Sequence, residues 1–221
     1  MNIKITGRGS YIPANIEKNE DFYNHEFLNS DGSSIKAPNE VIVKKFKAIT
    51  GIDERRYAKK HLNTSDLASF AAEKAIENAL TVLKNDRLII PIKKIEKTKI
   101  AYVHMGDDTG TYFFNQLNKY AQVDWIKANS ISEYKEKLKE YDLTIIGFHK
   151  SNVNPWKEYK FSDHELTKLY EISRTNKVIL DVFTRPYAIN DIQSFSDING
   201  ILLSYQNSKI SQELSAQLIF G

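Results

Sequence analysis

From residue 98 onward, apolar runs of strand length alternate with amphipathic helical patterns, and this alternation constrains the fold more than any other feature. "KIAYVHM" (99–105), "QVDWIKA" (122–128), "LTIIGFH" (143–149), "KVILDVF" (177–183) and "INGILLSY" (198–205) are the strand candidates. Their near-continuous apolar character suits strands covered on both faces. Between and after them, "TYFFNQLNKYA" (111–121), the charged "SEYKEKLKEY" (132–141), "DHELTKLYEISR" (163–174), a short "PYAIND" and "SKISQELSAQLIF" (208–220) carry helical spacing. Strands separated by helices pair in parallel through right-handed crossovers. The expected architecture over residues 95–221 is therefore α/β, a doubly wound, mostly parallel sheet of about five strands between helix layers.

The first part of the chain is less regular. "IKITGRGSYIP" (3–13) alternates and ends in Gly and Pro, which predicts a strand or hairpin arm. Residues 14–38 are polar and predict a loop. "NEVIVKKFKAI" (39–49) predicts a helix opened by Asn39, followed by a turn at Gly51. "TSDLASFAAEKAIENAL" (64–80) predicts a helix capped by Thr64 or Ser65, with Leu67, Phe70, Ala71, Ala75 and Ile76 on one stripe. It runs into a short extended piece, "TVLKNDRLIIPIK".

Composition narrows the function classes. None of the 221 residues is cysteine, so the chain has no disulfide, no thiolate metal ligand and no cysteine nucleophile. Residues 1–80 carry 12 basic and 11 acidic groups and the remainder 19 and 17, so neither part is strongly basic and no nucleic-acid partner is expected. No run reaches the length of a membrane span. The opening "MNIKITGRGSYIP" lacks the apolar stretch of a signal peptide, which predicts a cytoplasmic protein.

Two sets of motifs carry family resemblances. "ITGRGSYIP", "ITGIDERRYA" and "NTSDLASFAAEKAIENA", in that order, make residues 1–79 resemble the N-terminal segment of a beta-ketoacyl-acyl-carrier-protein synthase III, of the thiolase superfamily. The resemblance spans about a quarter of such an enzyme and implies a partial thiolase-like segment without its own core. In the family, a Trp and an Arg before the "TGI" turn help to hold coenzyme A; here Lys45 and Ile49 stand in those places. The family's Cys-His-Asn set lies beyond the segment, and His25 and His61 do not match its histidine. Without a cysteine, the acyl-transfer step has no nucleophile.

"LTVLKNDRLIIPIKK", "KIAYVHMGDD", "YDLTIIGFHKSNVNPW", "KVILDVFTRPYAI" and "SAQLIFG" make residues 80–221 resemble the C-terminal domain of glycoside hydrolase family 3, of the beta-N-acetylhexosaminidase type. The resemblance implies an α/β sandwich. It also implies that the catalytic Asp nucleophile and the His-Asp acid/base pair lie in a barrel preceding this domain, outside these residues. The chain thus reads as a fusion of two truncated pieces joined near Ala79–Leu80.

Several residues are candidates for chemistry. "HMGDDTG" (104–110) follows the first strand, where a doubly wound sheet can place a ligand. It lacks GxGxxG, and Asp107 and Asp108 would repel phosphate, so an acidic turn capping the next helix is the plainer expectation. In the resembled glycosidases this loop faces the barrel. "FHKSNVNPW" (148–156) offers His149, Lys150, Ser151, Asn152 and Trp156, amides and an aromatic platform suited to sugar; the plainer reading is an ordinary βα loop with Trp156 packed on the domain. Asp107, Asp108 and these five are the candidate carbohydrate contacts. Asp181 lies inside the strand "ILDVF", where a buried carboxylate could be a general acid; the plainer reading is a carboxylate near the strand end bonded to backbone. His104 and His149 fall on neighbouring strand ends if the strand order allows, but a metal site would need a further ligand, with only Asp107 or Asp108 to offer. Arg55, Arg56, Lys59 and Lys60 form a basic run, most simply a solvated surface.

The sequence thus predicts a non-catalytic accessory domain with no catalytic, metal or cofactor site. Its expected partners are a glycoside hydrolase barrel or carbohydrate. The alternatives are a hydrolase subunit completed by a separate barrel chain, and an inactive remnant of a condensing enzyme.

Overall fold

The computed structural model describes residues 7–154 and 156–221. These residues fall into two compact units, one spanning Gly9–Lys74 and the other containing Ala75–Gly221.

The smaller unit contains strand β1 (Asn15–Lys18), helix α1 (Asn39–Thr50), strand β2 (Glu54–Tyr57) and the start of helix α2 (Thr64–Ala79). β1 and β2 pair antiparallel. The expected strand over 3–13 lies partly outside the described residues, and residues 7–13 form no strand. Arg55 organises the unit's interior. Its guanidinium lies 5.4 Å from the Phe22 ring centre and 5.1 Å from that of Phe46, and donates to Asn19 Oδ1 at 2.8 Å. Among the described residues of this unit, Val43 alone is a fully buried hydrophobic side chain.

Two helix starts differ from expectation. Asn39 does not cap α1; its amide donates to the carbonyls of Tyr23 and His25, tying the helix to the preceding loop. α2 is capped by Asn63, not Thr64 or Ser65. Asn63 Oδ1 accepts from the Asp66 N–H, and Asp66 Oδ2 accepts from the Asn63 N–H, a reciprocal box.

The larger unit is built on a six-stranded sheet of order β3-β8-β7-β6-β4-β5. Its strands are β3 (Thr81–Asn85), β4 (Ile100–Gly106), β5 (Val123–Trp125), β6 (Leu143–His149), β7 (Val178–Phe183) and β8 (Gly200–Leu203). β4 to β8 are parallel, as the alternation predicts. The sixth strand is the extended piece after α2. β3 pairs antiparallel with β8, extending the sheet upstream of residue 95.

Helices α3 (Thr111–Leu117) and α6 (Lys209–Phe220) cover one face, packing Phe113, Leu117, Ala216 and Ile219 onto Tyr102, Ile145, Ile179 and Leu202. Helices α4 (Ile131–Leu138) and α5 (Asp163–Ser173) cover the other, where Leu138, Leu169 and Ile172 meet Val103, Ile146 and Leu180. Burying each such Leu or Ile is worth about 1.5–3 kcal/mol. α5 opens with a full capping box, Ser162 and Glu165 bonding each other's backbone N–H.

The chain leaves β4 for one edge of the sheet through β5, then returns past β4 to β6. The strand order therefore reverses between β4 and β6. In such sheets the ligand crevice opens beyond the carboxyl ends of the strands at that reversal.

Candidate functional site

The segments leaving β4 and β6 are residues 107–110 and 150–162. Instead of parting to form a crevice, they are tied together. The Asp107 and Asp108 N–H groups both donate to the His149 carbonyl, at 3.0 and 3.3 Å. Gly106 makes this approach feasible. Its φ is +99°, and a Cβ there would lie 1.9 Å from the His149 carbonyl oxygen.

Charges reinforce the tie. Lys157 Nζ lies 2.5 Å from Asp107 Oδ2 and Lys150 Nζ 3.7 Å from it, while the Ser151 N–H donates to Asp107 Oδ1 at 3.4 Å. Burial alone would raise the Asp107 pKa, but the Lys157 bond, the Ser151 N–H and the two lysine charges outweigh it and hold the carboxyl below its ordinary value. Lys150 is only 8% exposed. Its ammonium sits between Asp107 and Glu165, 3.5 Å from the latter, and 5.0 Å from the Phe148 ring centre.

The carbohydrate candidates thus separate by what they touch. Asp107, Lys150 and Ser151 hold the loops together. Asp108 turns inward locally, its Oδ1 accepting from the Thr109 N–H. The aspartates do not cap α3; Thr109 Oγ1 accepts the Thr111 N–H instead. Asn152 is exposed, and Trp156 is 91% exposed beside Val153 at 90%. Trp156 is therefore not packed on the domain. Its backbone N–H donates to Asn154 Oδ1 at 2.9 Å, which orients the residue that presents the indole.

His149 belongs to the interior. Its Nε2 accepts from the Tyr102 hydroxyl at 2.9 Å, and its Nδ1 lies 2.7 Å from Asn207 Oδ1. Asn207 Oδ1 also accepts from Gln212 Nε2 at 2.8 Å, and the Asn207 amide donates to the Thr109 carbonyl. This network assigns the proton to Nδ1. Burial pushes the His149 pKa down to about 3, against the opposing effect of the Asn207 bond, so the ring is neutral. Gly110 and Gly147 leave room for it; a Cβ at either would lie 2.7 or 2.4 Å from Nε2.

His104 stacks on His149 with ring centres 5.3 Å apart and 3° between planes, because β4 and β6 are neighbours in the sheet, the condition on which the sequence made their proximity depend. His104 Nε2 donates to the Asp108 carbonyl at 2.7 Å, and burial lowers its pKa. Both nitrogens of His149 are occupied. Among the described residues, no group of three or more His, Cys, Asp or Glu side chains is placed to hold a metal ion.

Asp181 lies in the middle of β7, level with Gly147 on β6 and Leu202 on β8, not near a strand end. It is fully buried. Its oxygens accept from the hydroxyls of Ser204, at 2.7 Å, and Ser215 on α6, and its carboxylate also takes the Val182 N–H. Burial outweighs these donors and raises its pKa to about 7. Neither serine stood out in the sequence. Their only signal is small polar residues at positions where a helix stripe and a strand end should be apolar. No side chain of a reactant can reach Asp181 through this packing.

No family model matches the chain. Two curated relatives are beta-ketoacyl-[acyl-carrier-protein] synthase III proteins. That of Staphylococcus haemolyticus is 36% identical over 91 residues, covering 41% of this chain and 25% of that protein. That of Fusobacterium nucleatum is 38% identical over 106 residues, covering 48% and 27%. The chain spans about a quarter of the length of these relatives.

Solved structures resemble the chain in fold. A beta-glucosidase from Listeria innocua, in complex with isofagomine, has a TM-score of 0.57 at 12% identity, covering 83% of this chain and 29% of that one. A glycoside hydrolase family 3 beta-N-acetylglucosaminidase from Paenibacillus has a TM-score of 0.51 at 12% identity, covering 83% and 36%. A fungal multi-domain GH3 beta-N-acetylglucosaminidase has a TM-score of 0.55 at 17% identity, covering 73% and 19%. The larger unit thus resembles, in fold, the α/β domain of family 3 glycoside hydrolases, and part of the chain is similar in sequence to ketoacyl synthase III, the two resemblances that the motifs carry.

Proposed function

We propose that the six-stranded unit is a non-catalytic accessory domain of a beta-N-acetylhexosaminidase-type glycoside hydrolase. It docks against a catalytic barrel, on the same or a separate chain, and offers Asn152 and Trp156 as a weak carbohydrate contact. The carrying observation is Trp156: its indole is 91% exposed on a loop anchored by Asp107, Lys150 and Lys157, beside the strand-order reversal. An anchored aromatic face is a stacking platform for a sugar ring, and neighbouring Asn152 supplies an amide. The fold likeness to family 3 chains supports the reading.

The non-catalytic part rests on the chemistry of the groups present. Glycoside hydrolysis by two carboxyl groups needs both of them open to one bond. Asp181 is sealed under α6, and Asp107 is engaged by two lysines. The ketoacyl-synthase-like segment, residues 1–79, is carried along without acyl-transfer chemistry, because the chain has no cysteine to hold an acyl group.

Tryptophan fluorescence tests the contact. The chain has two tryptophans, and Trp125 packs against Tyr102 and Phe114, so a sugar-induced change reports Trp156. Oligomers of N-acetylglucosamine should quench it with a dissociation constant on the order of millimolar, and Trp156→Ala should abolish the response. No response, or one that survives the substitution, overturns the carbohydrate contact. Turnover of an aryl N-acetylglucosaminide by the pure chain overturns the non-catalytic reading.

A further inference from the structure

The opposite end of the sheet, where the strands begin, carries a pocket of about 350 Å3. Its wall is apolar, with Ile89, the buried Ile92 and the exposed Leu88. Its rim is cationic, with Lys93, Lys94, Lys97 and Lys177. Among the described residues none of these four ammonium groups has a carboxylate partner within ion-pair distance. The one carboxylate at the pocket, Asp142, is engaged through Oδ2 by the Lys99 N–H at 2.9 Å. Four lysines against one carboxylate leave the pocket net positive, so the arrangement favours any anion that enters.

The backbone supplies a second, independent observation. Arg87, Leu88 and Lys94 have φ values of +52°, +55° and +68°, a region that side-chain-bearing residues avoid and that glycine would occupy freely. Two of the three line the pocket. The strained segment is held by its surroundings. Asn85 brackets Ile90, donating to its carbonyl at 2.7 Å and accepting from its N–H at 2.9 Å. The Ile92 N–H donates to the Ile219 carbonyl at 2.9 Å. Backbone strain that the surrounding structure enforces is concentrated at functional positions.

We infer that this pocket binds a small amphiphilic anion: a phosphate, sulfate or carboxylate headgroup among the lysines, with a short apolar portion against Leu88, Ile89 and Ile92. The volume sits near the lower bound of ligand pockets, which are on the order of 300–1,000 Å3, so it suits a headgroup and a few carbons rather than a long chain. The site is distinct from the loops around Trp156, and it does not depend on the glycosidase reading.

The test is an amide NMR titration of the full chain with inorganic phosphate and, separately, with butyl phosphate. Butyl phosphate should shift the amides of residues 87–98, 142–143 and 177. It should bind about tenfold more tightly than phosphate, because its carbons leave water, and weaken as salt is added. The triple variant Lys93→Gln, Lys97→Gln, Lys177→Gln should bind it about tenfold more weakly. The three side chains are at the surface, so the amide spectrum elsewhere should stay unchanged and a folding defect would be seen directly. A choice among sulfate, phosphate and carboxylate headgroups follows from butyl sulfate and pentanoate run as parallel arms. Shifts that are absent or lie elsewhere, equal binding of phosphate and butyl phosphate, or insensitivity to the triple substitution each overturn the proposal. So does an acidic peptide or duplex DNA that shifts these amides while all three amphiphiles are silent.

Discussion

His149 Nδ1 and Asn207 Oδ1 lie 2.7 Å apart, joining the last residue of β6 to the turn that precedes α6. With the Tyr102 hydroxyl on the other ring nitrogen, this bond satisfies the ring in a buried site where loss of hydration disfavours the protonated imidazole. The His149 pKa in the folded chain, about 3, lies below its unfolded value. Between these two values the unfolded state binds the extra proton, so this contribution to stability is present above about pH 6.5 and is lost as pH falls toward 3. Urea unfolding at pH 7 and pH 4.5 should therefore show a smaller acid loss in His149→Gln than in the parent, by about 1–3 kcal/mol. Equal losses would mean that the ring titrates normally.

Asp181 works in the opposite direction. Its folded pKa of about 7 lies above the unfolded carboxylate value, so the folded state holds the proton more tightly. The associated stability is complete below about pH 4 and is lost as pH rises through 7. Asp181→Asn should gain on the parent as pH rises from 4 to 8, by about 1–4 kcal/mol, since Ser204 and Ser215 can reorient their hydroxyls toward the amide. A gain that does not vary with pH would show that Asp181 stays ionised.

Gly106→Ala should be the most damaging small change in the larger unit. The added Cβ meets the His149 carbonyl oxygen at 1.9 Å on a backbone with φ of +99°. Either the tie between the 107–110 and 150–162 segments opens, or the strand shifts; the expected cost is about 3 kcal/mol or more. Chemical denaturation measures it. A loss under about 1 kcal/mol would mean that the two segments part easily.

Among the described residues, the Thr144 hydroxyl is buried without a hydrogen-bond partner. Its neighbours on the adjacent strands are Ala101 and Val178. Thr144→Val exchanges the hydroxyl for a methyl of similar size and should raise stability by about 1 kcal/mol. A clear loss in the urea midpoint would indicate that a buried water serves the hydroxyl.

The parallel part of the sheet was legible because β4, β6 and β7 are covered on both faces, and that burial requires continuous apolar runs such as "LTIIGFH". β3 was legible only as extended chain, because "TVLKN" lies at a sheet border, with Val82 and Leu83 exposed, and has the composition of a loop. The cap on α2 was missed by one residue because Asn63, Thr64 and Ser65 are all competent caps, and only the return bond from Asp66 selects among them. The closeness of His104 and His149 depended on a strand order that the sequence left open, and the purpose of their pairing was not readable. It depends on Asn207 and Gln212, 58 and 63 positions beyond His149. The partners of Asp181 were unreadable for the same reason: Ser204 and Ser215 reach it from 23 and 34 residues away.

The slip in register between Val82 and Lys84 has a consequence for how these molecules behave when concentrated. A bulge twists a border strand and interrupts its row of free N–H and C=O groups. Here it also turns Lys84 back to the Phe195 carbonyl, at 2.6 Å, and to Asp86. Among the described residues β3 and β5 border the sheet, so a neighbouring chain seeking to add itself as a further strand meets a broken template at one and a stub of three residues at the other, and fibrous self-assembly is discouraged.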